Sequence, residues 1–361
     1  MKITFLNPIV RPNGGNRVVS IYAKKLLERG HDVTVVSRLP FQPSLRRRIK
    51  YKLTGTKDKW DIPGRTAYYD DMGARHVEVA AGFPIDPDHM PDADAVIATW
   101  WRTAFEVAAL PPEKGAKVYF VQHHEVHDHL PWDITRSTYY LPLNKITIAD
   151  WLVDTMADEY GDTDVVKVEN SVDTDHFNAP PRARNAQPTV GLLYSNVRFK
   201  GLDISLRAIE IARAAFPDLK VVAFGAKDPT PDLPLPPVTQ YYKQPSQDLI
   251  PELYAQCDVW LCGSRAEGFH LPPLEAMGCR CPVVSTRIGG AVEVVTEGVN
   301  GHIVDVEDAE ALGARLIDVL ERSPDDWQAM SDAAYEQARS YTWDDAAKAF
   351  EAALVKIAGT S

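Results

Sequence analysis

The sequence predicts an α/β protein built from two doubly wound parallel-sheet domains. Three observations carry this. Short apolar runs alternate with helical periodicities, the pattern of successive β-α-β units. The alternation runs twice, separated by a polar, Pro-rich stretch, Asn178-Ala-Pro-Pro-Arg-Ala-Arg-Asn-Ala-Gln-Pro188. The 361 residues are long for one domain and comfortable for two.

The elements follow in order. Lys2–Leu6 is an apolar run that ends at Asn7-Pro8. The Gly-rich turn Pro12-Asn-Gly-Gly-Asn16 leads into a helix, with Val18, Val19, Tyr22, Ala23, Leu26 and Leu27 at helical spacing and Gly30 fitting its C-terminal cap. Asp32–Ser37 is the next strand, followed by strands at His76–Ala80, Ala95–Thr99, Lys117–Val121 and Lys145–Ile148. The second pass opens with the strand Thr189–Tyr194 and the helix Asp203–Phe216, whose apolar face reads Ile204, Ala208, Ile211 and Ala215. Strands at Lys220–Phe224, Val238–Tyr242, Asp258–Cys262 and Pro282–Ser285 follow, then a turn Gly298-Val-Asn-Gly301 before Ile303 and Val304. Trp343–Ile357 reads as an amphipathic helix.

Composition narrows the function classes. Hydrophobic residues make up 45% and charged residues 25%, an ordinary globular balance. A net charge of −11 argues against a general nucleic-acid binder, which would show a basic field. No apolar run approaches the roughly 20 residues of a membrane span. Met1-Lys-Ile-Thr-Phe-Leu reads straight into a strand, so a cytoplasmic protein without a secretory signal is expected. Four cysteines are too few for a disulfide framework, and Cys279-x-Cys281 has no companion His/Cys pair, so no metal site is expected.

Chemistry concentrates in Arg265-Ala-Glu-Gly-Phe-His-Leu-Pro-Pro-Leu-Glu-Ala-Met-Gly278, where Glu267 and Glu275 stand eight positions apart. Pro272 and Pro273 suit a first helical turn, where no N–H partner is lost. The amides of Phe269, His270 and Leu271 then sit at or just before a helix N-terminus, a place that suits an anion. Capping alone would account for an isolated acid pair. Arg198-Phe-Lys200-Gly201 follows the first strand of the second domain and puts a planar fork and a point charge where a diphosphate could lie. Gly14-Gly15-Asn16 offers backbone donors at a helix start, though a plain strand–helix turn reads the same way. Tyr119-Phe-Val-Gln-His-His-Glu125 ends a strand with polar groups, and alternation turns only one of His123 and His124 inward. Leu45-Arg-Arg-Arg-Ile-Lys-Tyr-Lys-Leu53 is basic in an acidic chain, with Leu45, Ile49 and Leu53 four apart. As an amphipathic helix it would meet an anionic membrane surface through Arg46–Lys52; a solvated basic loop is the other reading.

Glu267-Gly-Phe-x-Leu-Pro-x-Leu-Glu-Ala-Met277, with Cys281-Pro-Val-Val-Ser-Thr286 and Gly289-Gly-Ala-Val-Glu293, resembles the donor-binding core of the family 4 retaining glycosyltransferases over about thirty residues. Tyr-Phe-Val-Gln-x-x-Glu125 and Ala98-Thr-Trp-Trp-Arg-Thr-Ala104 resemble, more loosely, a polysaccharide-assembling subgroup that includes rhamnosyltransferases. The resemblance implies the GT-B architecture: an acceptor-side Rossmann-like domain over 1–178, a donor domain over 179–341, and a tail over 342–361 crossing back to the first. It implies metal-independent, cofactor-free transfer from a nucleotide-diphospho-sugar to a saccharide or lipid-linked glycan, with retention of anomeric configuration. Lys200, Arg198 and the amides around Gly268, Phe269, His270 and Leu271 would then hold the diphosphate, with Gly15 and Asn16 touching it from the first domain. Glu275 would hold the ribose and Glu267 the sugar hydroxyls, while His123 or His124, oriented by Glu125, would position the sugar. Two departures stand out. The usual Arg position falls on Tyr194 or Ser195, which makes Arg198 a shifted substitute, and His270 stands where the family carries Gly. Asn170-Ser-Val-Asp-Thr-Asp-His-Phe177 is similar to the segment that closes the family's first domain, with Phe177 packed there. A nucleotide-sugar epimerase of the same architecture, or a non-catalytic donor-binding partner subunit, is the alternative.

Overall fold

A computed structural model describes residues 1–9, 13–39, 46, 67–80, 82–127 and 130–359. The basic segment Arg46–Lys52 therefore lies, apart from Arg46, outside the described residues. The chain divides into two compact units, one of Met1–Glu169 with Asp344–Ser361 and one of Asn170–Trp343.

The first unit holds a sheet of β1 (Lys2–Ile9), β2 (Asp32–Arg38), β3 (Arg75–Val79), β4 (Ala95–Ala98), β5 (Ala116–Val121), β6 (Asn144–Thr147) and β7 (Val166–Lys167). Its order is β3-β2-β1-β4-β5-β6-β7, and every pairing is parallel. Central strands with helices on both faces bury all their side chains, which is why Ala95–Ala98 reads as an unbroken apolar run. The helix Gly14–Glu28 buries Val18, Val19, Tyr22, Ala23 and Leu26, and Gly30, at φ +91°, follows its C-cap. The helix Trp343–Ala358 belongs to this unit from Asp344 onward and drives Phe350, fully buried, among Phe5, Tyr22 and Phe120.

The second unit holds β8 (Thr189–Tyr194), β9 (Lys220–Gly225), β10 (Thr239–Lys243), β11 (Val259–Cys262), β12 (Val283–Thr286) and β13 (Gly301–Val304). The order is β10-β9-β8-β11-β12-β13, again parallel throughout. The strand order reverses direction between β8 and β11, and a crevice opens at the carboxyl ends of strands at such a switch point. One apolar face needs correcting. The helix Leu202–Ala215 buries Ile204, Ala208, Ile209 and Ala212, while Ala215 is exposed. The helix Ala309–Glu321 covers it, and Gly313 approaches Ala208 and Ile211 closely, which fixes the buried stripe one position off the simple count.

Candidate functional site

The switch point of the second sheet assembles the site. After β8 comes a tight turn, Arg198–Lys200, closed by Gly201 at φ +55°. After β11 comes Gly263-Ser264, and a Cβ added to Gly201 would lie 1.8 Å from the Gly263 carbonyl oxygen. Only glycine lets these two loops touch. The amide of Arg265 donates to the Phe199 carbonyl at 2.7 Å. Its guanidinium grips Asp203 through two hydrogen bonds of 2.8 and 2.7 Å, pairs with Glu307, and donates to the Arg198 carbonyl. Arg265 thus clamps the turn in place, while the Arg198 side chain is exposed at its rim.

This contact brings Lys200 to Glu267. The ammonium donates to both carboxylate oxygens at 2.8 Å, and Ser264 Oγ donates to Oε1 at 2.9 Å. Glu267 is 7% exposed. Burial works against its charge, but the opposing influence of His270, Lys200 and Ser264 wins and holds the acid below the usual carboxylate range. Next comes the helix Leu271–Gly278, with His270 as its N-cap and prolines in its first turn. Gly268 and Phe269 are buried beneath Gly289-Gly290, where a Cβ on Gly290 would strike the Phe269 ring at 2.6 Å. Leu271 opens the helix, and Glu275, 8% exposed, accepts the Tyr254 hydroxyl at 2.9 Å.

His270 sits at φ +73°, a conformation that costs a residue with a Cβ. Burial pushes its imidazole down to about 4, so the ring is neutral near pH 7. Nε2 lies 3.6 Å from Glu267 Oε1, and Nδ1 has no hydrogen-bond partner among the described residues.

In the first unit, the helix Gly14–Glu28 starts with Asn13 accepting the Asn16 amide at 2.9 Å. Asn16 therefore does not present its own N–H to a ligand, and its side chain is buried against Asn7 and Tyr69. Gly15 faces the Gln122 side chain at the end of β5. His124 Nε2 lies 2.6 Å from the Tyr160 hydroxyl, and His123 Nδ1 lies 2.8 Å from the His124 carbonyl. Burial lowers the His124 pKa. Glu125 accepts the Trp101 amide at 2.8 Å and the Tyr119 hydroxyl at 3.2 Å, so its carboxyl braces the loop after β4. Burial pushes that carboxyl up to about 8.

Two supporting residues escaped sequence reasoning. Tyr254 stands 21 positions from Glu275, with no local signal. Ser264 precedes Glu267 by three, a spacing at which its hydroxyl could have been read.

Residues 177–337 match the family model described as "Glycosyl transferases group 1". A GDP-mannose-dependent alpha-(1-6)-phosphatidylinositol monomannoside mannosyltransferase of Mycolicibacterium smegmatis is 30% identical over 172 residues, 41% of this chain and 45% of that protein. A D-inositol 3-phosphate glycosyltransferase of Corynebacterium urealyticum is 39% identical over 106 residues, 29% of this chain and 24% of that protein. The chain thus spans less than half the length of the curated relatives it matches. Among solved structures, sucrose-phosphate synthase from Thermosynechococcus elongatus superposes with a TM-score of 0.76 at 14% identity, covering 100% of both chains. Anabaena Alr3699/HepE, in complex with UDP and glucose, gives 0.76 at 17% identity over 99% of this chain and 100% of that one. The fold is that of the GT-B glycosyltransferases.

Proposed function

We propose that this chain transfers a sugar from a nucleotide-diphospho-sugar to a saccharide or lipid-linked acceptor, with retention at the anomeric carbon. The observation that carries the reading is the Lys200–Glu267 pair, fixed at the switch point beside the start of the helix Leu271–Gly278. An ammonium has three N–H donors. Two are engaged by Glu267, and the third serves a departing diphosphate. Donor groups already in place where charge develops are the largest single contribution in such sites. The amides around Phe269–Leu271 and the rim cation Arg198 add to this, with Gly15 contributing from the first unit. Glu275 holds the nucleotide ribose, and Glu267 meets the hydroxyls of the transferred sugar. The strand-end pair His123 and His124 positions that sugar. No side chain is placed as a covalent nucleophile in this reading, so the acceptor attacks from the face the diphosphate leaves.

The two curated relatives support the class, since both are named as glycosyltransferases and one as dependent on GDP-mannose. HepE, of the same fold, is in complex with UDP and glucose, which supports a nucleotide-sugar ligand for this chain. Peripheral attachment through Arg46–Lys52 is proposed with the lipid-linked acceptor, on the basic sequence of that segment. Among the described residues no helix is long and apolar enough to cross a membrane.

The test is turnover of Lys200→Ala on a nucleotide sugar found by a thermal-shift panel. The barrier should rise by about 2–4 kcal/mol, measured where variant and wild type have the same circular dichroism. Unchanged turnover would remove the central assignment. Proton NMR of the product reads the anomer, and conversion of donor at C2 without acceptor would point to the epimerase instead.

A further inference from the structure

His270 is a buried polar residue that the roles above do not explain. Its side chain is 4% exposed, its backbone is left-handed, and Nδ1 lacks a partner among the described residues. A buried polar atom left unsatisfied is costly, and a left-handed conformation on a residue with a Cβ adds strain. Such costs gather where a ligand completes the site.

The tautomer follows from the neighbours. Nε2 is the ring nitrogen 3.6 Å from the Glu267 carboxylate, too far for a hydrogen bond but close enough for its field to favour a proton there. Burial keeps the ring neutral, with its pKa pushed down to about 4. Nδ1 is then the lone-pair nitrogen, an acceptor. An acceptor repels phosphate oxygens and calls for an O–H donor.

The space is of matching size. His270, Lys200, Ser205, Ser264, Cys262 and Pro272 are among the residues around a cavity of about 20 Å³. That volume admits one water-sized group. Among the side chains there, Lys200 and Ser264 bond to Glu267, and Ser205 bonds to Gly201 and Gly263. Nδ1 of His270 is the buried side-chain nitrogen there with no partner among the described residues.

We propose that His270 is a specificity-determining residue, whose Nδ1 accepts a hydrogen bond from one hydroxyl of the transferred sugar. This rests on the donor-site reading above. A single buried water would satisfy the same atom, and the experiment separates the two sources.

Donor binding to the wild-type chain is first measured by calorimetry with the nucleotide sugar from the thermal-shift panel. kcat/KM is then measured for that donor and each of its monodeoxy-sugar analogues. The variants are His270→Gly, which removes the acceptor and suits the left-handed backbone, and His270→Asn. The Asn side-chain oxygen falls near the place of Nδ1, and Asn tolerates that backbone. Wild type should reject one deoxy analogue by about a hundredfold or more, because the missing hydroxyl leaves a buried acceptor unpaired. His270→Gly should bring parent and that analogue within roughly threefold of each other, and His270→Asn should restore most of the discrimination. Unchanged discrimination in His270→Gly, with donor binding intact, would assign Nδ1 to a water and overturn this inference alone. Absence of nucleotide-sugar binding to the wild type would overturn the donor-site reading and this inference with it.

Discussion

Glu267 and His270 are two titratable groups 3.6 Å apart with opposite preferences. Burial works against both charges, but the carboxylate, beside His270, Lys200 and Ser264, keeps its own, whereas the imidazole loses its charge. The imidazole has a stability consequence with a definite sign. Its pKa falls from 6.5 in the unfolded chain to about 4 in the folded one. Above pH 6.5 both states are neutral and nothing changes. As pH falls from 6.5 to 4 the unfolded chain gains a proton that the folded chain refuses, so stability is lost over that window. The full loss is about 3 kcal/mol. Urea unfolding of the wild type should therefore show a midpoint that drops between pH 6.5 and 4, and His270→Gly should flatten that drop. Parallel midpoint curves for the two proteins would mean that the ring charges in the folded state.

At the scale of elements, the site is a meeting of two loops, and Gly201 is what permits it. A methyl group at Gly201 would collide with the Gly263 backbone on top of the strained φ of +55°. Gly201→Ala should cost at least about 3 kcal/mol, read as a lower denaturant midpoint, and should separate Lys200 from Glu267. A midpoint within experimental error of the wild type would refute the tight contact. The strands were legible because buried parallel strands read as apolar runs, and Thr189–Tyr194 needed no other clue. Val166–Lys167 was not, because two residues carry no period. The helix Leu202–Ala215 was placed to within a residue at each end, yet Ala215 was given to its buried face. Which stripe is buried depends on the neighbouring helix and its Gly313, and that helix lies about a hundred positions onward. The Glu267–Glu275 segment was readable as a helix start with two acids. That Lys200 reaches Glu267 across 67 positions follows from strand order, which no local pattern encodes. The strand-end prediction was right to gather polar groups after β5. It gave Glu125 the task of orienting an imidazole, whereas the folded chain uses it to hold the Trp101 amide and the Tyr119 hydroxyl.

At the scale of the whole molecule, the chain's last helix is counted with its first residues, so the first unit is not a continuous stretch of sequence. Phe350 is fully buried, with its ring centroid 4.6 Å from Tyr22, 5.2 Å from Phe120 and 6.2 Å from Phe5. Glu351, the next residue, pairs with Arg29 and His31 at the end of the helix Gly14–Glu28. The apolar contact outweighs the ion pairs, because exposed pairs contribute roughly 0–1 kcal/mol and truncating a buried Phe costs about 3–5 kcal/mol. Phe350→Ala should therefore destabilise the first unit by that larger amount, and Glu351→Gln by much less. Hydrogen exchange resolves where the loss falls. Amides of β1 and β5, whose Phe5 and Phe120 line the Phe350 pocket, should lose protection. Amides of β8 and β11, in the other unit with its own apolar core, should keep theirs. If β8 and β11 lost protection as fully as β1 and β5, the two units would be a single cooperative one and the separate cores would not act separately.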